Sequence, residues 1–338
     1  METILVLAHT EADGSLAKAA LEAIGAAGQL GGAFVVGMVG ENVQAAANSI
    51  ASCGAAKFLG VAGADFSQAR YATDAAAAEA LCKAAGAGVV IAPATSRWNR
   101  VLSGVAHRLG GRADTHVTAV TAANDAIAVN RWYYRQRMEA VLQRTQRPWV
   151  IALESGCCEA WQGAAGIATV EAVAVTVAAK RTTVTGIHAP AADQQTIRPD
   201  AALLLVAGAG WTKTQPDGKA HVADAEKHIL DFLRLTKASL GSSKSLVDLS
   251  GEGQAVLTFM SHLHQIGQTG STPRHAKGLS TCCHGEEPHT VGWRFVNERR
   301  AIDLDPNCGW ARGKADVLYV ADAFQVMAKV NELLAAKK

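Results

Sequence analysis

The sequence predicts an α/β protein of two domains, and three observations support this prediction. The chain has 338 residues, enough to bury two separate cores. Its first half alternates helical segments with short runs that are apolar throughout, such as residues 4–8 and 89–93; such runs are typical of parallel strands covered on both faces in a doubly wound sheet. A polar stretch with two prolines, residues 180–200, then precedes a second apolar run. We therefore assign an N-terminal domain to residues 1–190 and a C-terminal domain to residues 191–338.

Sequence patterns predict each helix and strand of the first domain. Apolar runs predict strands at residues 4–8, 33–39, 57–61 and 89–93. Helices are expected to follow them, at residues 15–30, 42–52, 73–85 and 96–109. Ser15 is a candidate N-cap for the first helix, Gly31 and Gly32 are expected to end it, and residues 94–96 are expected to cap the fourth helix.

Residues 117–178 change to strands joined by turns. Two adjoining strands are expected at residues 131–142 and 147–153, with a further strand at residues 170–179. Arginines are concentrated in this segment: Arg131, Arg135, Arg137, Arg144 and Arg147. Two interpretations stay open, a solvated strand face and a contact surface for a partner protein, since exposed Arg and Trp together favour interfaces.

The second domain begins with the apolar run 201–207, which leads into Gly208-Ala209-Gly210. A strand ending in G-x-G begins a dinucleotide-binding turn, although G-x-G alone is a weak signal. Helices are expected at residues 222–237, 255–264 and 321–336. A strand is expected to end within residues 301–306. It would place Asp303 at its carboxyl end, and Pro306, which lacks a backbone N–H, would terminate it.

Charge and cysteine content exclude several classes of protein. There are 32 basic and 30 acidic residues, a formal net charge of +2, so no general attraction to nucleic acid or to membranes is implied. Neither a long apolar run nor a leader-like segment is present, and we expect a cytoplasmic protein. Seven cysteines, an odd number, argue against a disulfide framework. Hydrolase and P-loop motifs are absent from the sequence.

Three segments of the second domain have the composition of a nucleotide or flavin site. They are the Gly-rich turn Q-I-G-Q-T-G at residues 265–270, the turn C-C-H-G-E-E-P-H at residues 282–289, and the strand end at Asp303. Glycines let backbone N–H groups approach a bound anion or ring edge, and Gln, Thr and His side chains add directed hydrogen bonds. These residue types therefore predict a binding site.

The same segments resemble the FAD-binding domain of electron-transfer flavoprotein alpha subunits. In that family a V-G-Q-T-G turn is followed by S-G-A-I-Q-H and then by I-N-K-D-P. The corresponding segments here are residues 266–270, 284–289 and 302–306, aligned without a gap. The turn matches closely, the second segment retains Gly285 and His289, and Asp303 replaces the asparagine. The first half, with its A-P-A-T step at residues 92–95, is similar to the N-terminal domain of the same subunit.

Further segments resemble motifs of this family. Residues 241–245, G-S-S-K-S, are similar to G-A-S-R-A, with Lys244 in place of the arginine that family members place against the isoalloxazine ring. Residues 321–324, A-D-A-F, are similar to A-D-L-F. The family's S-G-G-R after the first strand of the FAD domain has no counterpart, and Lys213 is a candidate replacement for its arginine.

The resemblance implies a Rossmann-like C-terminal domain that holds FAD for one-electron transfer. In it, His289 would stabilise the anionic N1 and O2 side of the flavin, and Thr269 would meet the N5 edge. The FAD contacts carried over by the resemblance are Ser243, Lys244, Gln265, Ile266, Gly267, Gln268, Thr269, His284, Gly285, Glu286, Glu287, Pro288, His289, Asp303, Asp322 and Ala323.

The resemblance also implies partners. They are an electron-transfer flavoprotein beta subunit in a heterodimer, a primary dehydrogenase as electron donor and a membrane quinone oxidoreductase as acceptor. If the arginine-rich strands form a contact surface, the beta subunit is the partner that the resemblance implies for them. Because the motifs diverge from those of acyl-CoA-linked members, a dehydrogenase of amines or N-methylated amino acids is a plausible donor.

Two other functions stay open. One is a redox-silent, nucleotide-binding paralogue of the same fold, since two family signatures are altered. The other is an enzyme with a metal centre at Cys282, Cys283, His284 and His289, although adjacent cysteines fit tetrahedral zinc poorly and the chain has no C-x-x-C pair. We interpret His262, His264 and His275 as surface or structurally satisfied histidines.

Overall fold

The chain folds into two α/β units, which confirms the predicted fold class. The computed structural model describes residues 2–123, 126–134, 138–177, 181–186, 197–198, 200–248, 255–267, 272–281, 295–308, 311–312 and 314–337. The units are Met1–Ile187 and His188–Lys338. Most of the predicted linker, residues 180–200, lies outside the described residues.

The first unit is built on one large sheet. Its described strands are β1 Ile4–His9, β2 Phe34–Gly40, β3 Lys57–Ala62, β4 Val89–Pro93, β5 Arg112–Ala123, β6 Ala126–Tyr133, β7 Met138–Leu142, β8 Trp149–Leu153 and β9 Val170–Ala172. They lie in the order β7-β6-β5-β8-β4-β1-β2-β3-β9. The strands from β5 through β8, β4, β1, β2 and β3 to β9 run parallel to their neighbours, whereas β6 and β7 are antiparallel.

Helices cover both faces of this sheet, which is why its central strands are apolar throughout. They are α1 Lys18–Gln29, α2 Gln44–Ser49, α3 Tyr71–Ala85, α4 Ser96–Asn99 and α5 Leu102–Arg108. One core contains Ile24 of α1 and Trp149 of β8, and the core on the other face contains Leu81 of α3 and Trp98 of α4.

Two predicted helix boundaries are wrong. Helix α1 begins at Lys18 after Ala17, and Ser15 instead donates its hydroxyl to Asp13, 2.6 Å away. The predicted helix at residues 96–109 is divided into α4 and α5, although Thr95 does cap α4 by accepting a hydrogen bond from the Trp98 amide. In the first case the Ser15 hydroxyl forms a local hydrogen bond instead of capping the helix.

The predicted pair of adjoining strands at residues 131–142 and 147–153 is also wrong. The first segment is divided between β6 and β7, which pair with each other as antiparallel neighbours. The second segment, β8, leaves this hairpin and pairs with β4 and β5. An apolar run of five buried residues, W-V-I-A-L, is stabilised more in the covered centre of the sheet than beside the exposed edge strand β7.

The second unit has a smaller parallel sheet. Its described strands are β10 Leu203–Ala207, β11 Ser239–Ser242, β12 His275–Thr281, β13 Val296–Asp303 and β14 Val317–Val320, in the order β11-β10-β12-β13-β14. The helices described with it are α6 Val222–Thr236, α7 Lys244–Asp248 and α8 Ala323–Ala336. In place of the helix predicted at residues 255–264, the structure has a single 3₁₀ turn at His262–His264.

Candidate functional site at the carboxyl edge of the second sheet

The carboxyl ends of the parallel strands of the second unit meet at one edge of the sheet. Strands β11, β10, β12 and β13 end there at Ser242, Ala207, Thr281 and Asp303. Strand order reverses at β10, since β11 lies on one side of it and β12 on the other. In open α/β sheets, ligands bind in the crevice beyond the carboxyl ends at such a point.

Backbone hydrogen bonds tie the segments that follow the strands to this edge. The Ser243 amide donates to the Ala207 carbonyl at 2.9 Å, and the Gly208 amide donates to the Thr281 carbonyl at 2.9 Å. The Ile266 amide donates to the Ser242 carbonyl at 3.1 Å. Residues far apart in the sequence are therefore neighbours at the edge.

The start of the predicted Gly-rich turn lies beside β11. Gln265 forms an isolated parallel bridge with Ser242. Ile266 covers Gly241 so closely that a Cβ at that glycine would lie 2.4 Å from the Ile266 Cδ1 atom, so a side chain at position 241 requires the Ile266 side chain to move. Gly267 has a left-handed backbone, with φ of 75°, and its amide donates to the Thr272 hydroxyl at 2.8 Å. These contacts fix the direction in which the turn leaves the sheet.

Ser243 and Lys244 follow β11 directly. The Ser243 hydroxyl accepts a hydrogen bond from the Leu246 amide at 3.2 Å, at the start of α7. Lys244 is 57 % exposed, and its ammonium lies 3.5 Å from Asp248, whose other oxygen lies 3.6 Å from His262. The positive charge of Lys244 is therefore at the surface and partly compensated.

Asp303 and Asp322 lie at the ends of β13 and β14. Asp303 is only 1 % exposed, and one of its oxygens accepts from the Asp305 amide at 2.9 Å. Asp322 is the N-cap of α8, where one oxygen accepts from the Phe324 and Gln325 amides at 2.8 and 3.2 Å. A cleft between the two strand ends is lined by Gln215, Ile302, Asp303, Leu304, Ala321, Asp322, Ala323 and Phe324.

Sequence reasoning missed residues that hold the crevice between β10 and β12. Trp211 follows the G-x-G of β10, is fully buried, and donates its indole N–H to the Thr281 hydroxyl at 2.8 Å. The side-chain amide of Gln215 donates hydrogen bonds to the backbone carbonyls of Gly210 and Lys213 at 3.0 and 2.8 Å, which fixes the polar insert after β10. Lys213 itself is exposed. The G-x-G itself was the only sequence signal for this group.

Several predicted contacts lie outside the described residues. They are Gln268, Thr269, His284, Gly285, Glu286, Glu287, Pro288 and His289, together with Cys282 and Cys283. Within the part of the chain that the structure describes, no group of three or more His, Cys, Asp or Glu side chains is placed to hold a metal ion. No described helix combines the length and the apolar character needed to cross a bilayer.

Three arginines of the arginine-rich segment form ion pairs within the first unit. Asp114 is 2 % exposed and accepts two hydrogen bonds from Arg144, at 2.8 and 3.0 Å, and one from the Trp149 indole at 3.0 Å. The Arg131 guanidinium lies 3.6 Å from the same carboxylate. Arg147 pairs with Glu2. Arg131 and Arg144 thus share the buried Asp114 carboxylate of β5. Arg135 and Arg137 lie outside the described residues.

Comparison with known families decides the relationship. A family model described as "Electron transfer flavoprotein domain" matches residues 4–180, more than half of the chain. The chain belongs to the electron transfer flavoprotein family. Proteins of this family typically bind flavin and exchange electrons with dehydrogenase partners. No curated protein matches the chain.

The second unit has buried polar atoms without a hydrogen-bond partner among the described residues at the predicted edge. Ser242 Oγ, His264 Nε2 and Asp303 Oδ2 are buried and have no hydrogen-bond partner among the described residues. Buried polar atoms are nearly always paired in native proteins. A ligand with both donors and acceptors, such as a flavin nucleotide, fits this set. The Asp303 oxygen requires a donor such as a hydroxyl and repels a phosphate.

Proposed function

We propose that this chain is the FAD-binding alpha subunit of an electron-transfer flavoprotein. The observation that supports the proposal is the position of the segments resembling FAD motifs. Ser243, the turn at residues 265–267, Asp303 and Asp322 all lie at the carboxyl edge of one parallel sheet, where nucleotides bind. The family match to residues 4–180 supports the same function independently, from the other half of the chain.

FAD supplies the one-electron chemistry when bound. The turn at residues 265–267, whose amides are bonded to His262, Ser242 and Thr272, would place its backbone beside the cofactor, and Ser243 sets the start of α7 next to it. Lys244 places a positive charge at the edge, and Asp303 accepts a hydroxyl group of the cofactor. By the family resemblance, His289 and Thr269 contact the flavin ring, with Gln268 and residues 284–288 around it.

The proposed partners follow from the family. A beta subunit completes the heterodimer, a primary dehydrogenase donates electrons, and a membrane quinone oxidoreductase accepts them. For the donor we propose a dehydrogenase of amines or N-methylated amino acids, and genes adjacent to that of this chain provide the test. A neighbouring acyl-CoA dehydrogenase gene would contradict this choice of donor.

Two observations favour a second candidate, a redox-silent nucleotide-binding paralogue. The family match ends at residue 180, before the predicted FAD contacts, and Lys244 is partly compensated by Asp248. Such a paralogue would keep the fold and the edge without binding flavin.

The deciding experiment is a visible absorption spectrum of the chain co-purified with its neighbouring beta subunit, followed by titration with FAD. We expect a flavin spectrum and one bound FAD per chain. A protein that remains colourless after incubation with FAD would refute the proposal and favour the redox-silent paralogue.

A matched pair of glycine variants tests whether the edge is the binding site. Gly241→Ala should weaken FAD binding, because the added methyl group displaces Ile266 and the turn. Gly28→Ala, at an exposed position of α1 with no atom within 4 Å of the added methyl, should leave binding unchanged. Equal affinities in the two variants would place the cofactor elsewhere.

A further inference from the structure

His264 is a buried histidine whose ring is held by the backbone of Ser261. It is 3 % exposed and ends the 3₁₀ turn that leads into Gln265. The Ser261 amide donates to its Nδ1 atom at 3.1 Å, within a capping box in which the Ser261 hydroxyl accepts from the Leu263 amide. The same Nδ1 atom lies 3.3 Å from the Ser261 carbonyl oxygen. Because the Ser261 amide is closer and always carries a proton, we assign Nδ1 as the acceptor and place the proton of the neutral ring on Nε2.

The Nε2–H group of His264 has no acceptor among the described residues. Burial lowers the pKa of His264 and outweighs the nearby Ser261 carbonyl oxygen, which raises it, so the neutral ring is favoured at neutral pH. The other buried histidine of this unit contrasts with it. Both ring nitrogens of His275 lie within hydrogen-bond distance of carbonyl oxygens, of Pro273 at 2.9 Å and of Arg198 at 2.8 Å.

The unmatched donor lies at the candidate site. His264 is adjacent to Gln265, which forms the bridge with Ser242 at the end of β11, and Ser242 Oγ is also buried without a partner among the described residues. His275 is at the opposite, amino-terminal end of β12. A buried donor left unpaired is destabilising, so its retention beside a binding edge indicates an acceptor supplied by a ligand.

We propose that His264 is a cofactor-binding residue whose Nε2–H donates a hydrogen bond to an acceptor atom of the bound flavin nucleotide. This inference rests on the function proposed above and adds a residue that no family motif assigned. The capping box holds the ring, so the donor is oriented before the cofactor arrives, and little side-chain freedom is lost on binding.

Two isosteric variants separate binding from structure. Asn at position 264 can place its carbonyl oxygen near the Nδ1 position and keep the bond to the Ser261 amide, but it lacks a donor at Nε2. Gln can place its amide N–H near the Nε2 position but lacks the acceptor for Ser261. We expect His264→Asn to weaken FAD binding about five- to tenfold with little change in the Tm of the flavin-free protein. We expect His264→Gln to keep FAD affinity and to lower the Tm.

The experiment is FAD titration by flavin fluorescence, and thermal unfolding without flavin, on the complex with the beta subunit. His275→Gln is the control, a buried histidine at the other end of the sheet, expected to lower the Tm without changing FAD affinity. Unchanged affinity in His264→Asn, or affinity that follows the Tm in every variant, would overturn the inference. A parent complex that binds no FAD would overturn the proposed function as well, and is seen before any variant is compared.

Discussion

Replacing Asp114 by asparagine should destabilise the first unit strongly. The carboxylate is buried and joins β5 to Arg144 and to the Trp149 indole, with Arg131 nearby at 3.6 Å. Asparagine keeps the shape but leaves two guanidinium groups without a counter-charge. Breaking a buried pair costs about 3–5 kcal/mol, and the arginines are 22 and 26 % exposed, so we expect about 2–4 kcal/mol.

Hydrogen exchange measured by mass spectrometry on peptides from β5 and β8 isolates this effect to the first unit. A loss of about 2–4 kcal/mol should accelerate exchange of their slowest amides about thirtyfold to several hundredfold. Glu171→Gln is the control, since Glu171 is 57 % exposed and lies 3.6 Å from Lys57, a pair expected to contribute little. A change in Asp114→Asn no larger than in the control would refute the reasoning.

The same carboxylate predicts a pH dependence. Burial raises the pKa of Asp114, but hydrogen bonds from Arg144 and Trp149 and the charges of Arg144 and Arg131 outweigh it and hold the pKa below its usual value. Its stabilisation is therefore complete above the unfolded-state pKa of about 3.9 and is lost as pH falls through the lower folded-state value. The exchange difference between parent and Asp114→Asn should shrink below about pH 4. A difference that stays constant there would contradict this assignment.

Three further predictions concern single side chains. Lys244→Arg should change the reduction potential of the bound flavin, because a planar guanidinium can stack on the flavin ring whereas the ammonium of Lys244, which lies near Asp248, cannot. An unchanged reduction potential would contradict this prediction. Glu22→Gln should gain stability relative to the parent as pH rises above about 4.3, because burial raises the pKa of Glu22 and the parent loses stability as pH rises through the raised value; parallel pH profiles in urea unfolding would contradict this. Thr281→Val should lower the free energy of unfolding, measured in urea, by about 1–3 kcal/mol, because the buried Trp211 indole loses its hydrogen-bond acceptor. A decrease below about 0.5 kcal/mol would show that this hydrogen bond does not stabilise the protein.

Local sequence predicts the strands of the first unit well. Predicted strands at residues 4–8, 33–39 and 89–93 correspond to β1, β2 and β4 at Ile4–His9, Phe34–Gly40 and Val89–Pro93. The reason is burial on both faces, which requires every side chain of the strand to be apolar and so leaves a continuous signal. Helix starts are less well predicted, because Ser15 forms a local bond with Asp13 rather than capping α1.

Chain order does not predict which strands become neighbours. From the sequence, the segments 131–142 and 147–153 are expected to be neighbouring strands, whereas in the sheet the second segment, β8, lies between β4 and β5. The arginines of this segment illustrate the same limit, since Arg144 is 30 residues from Asp114 and becomes its partner only when the strands assemble. Pairings at such separations depend on the whole sheet, and no local pattern encodes them.

For the candidate site, the sequence by itself determined residue types and their spacing. It indicated a Gly-rich turn at residues 265–270, an acid at the end of a strand and a family resemblance, because close backbone approach and directed hydrogen bonds require those residues. Only the tertiary structure brought Ser242, Gln265 and Asp303 to one edge, through the parallel register of β11, β10, β12 and β13. It alone also decided that His264 is buried with its Nε2–H unmatched, because burial depends on the elements that pack around a residue and not on its neighbours in the chain.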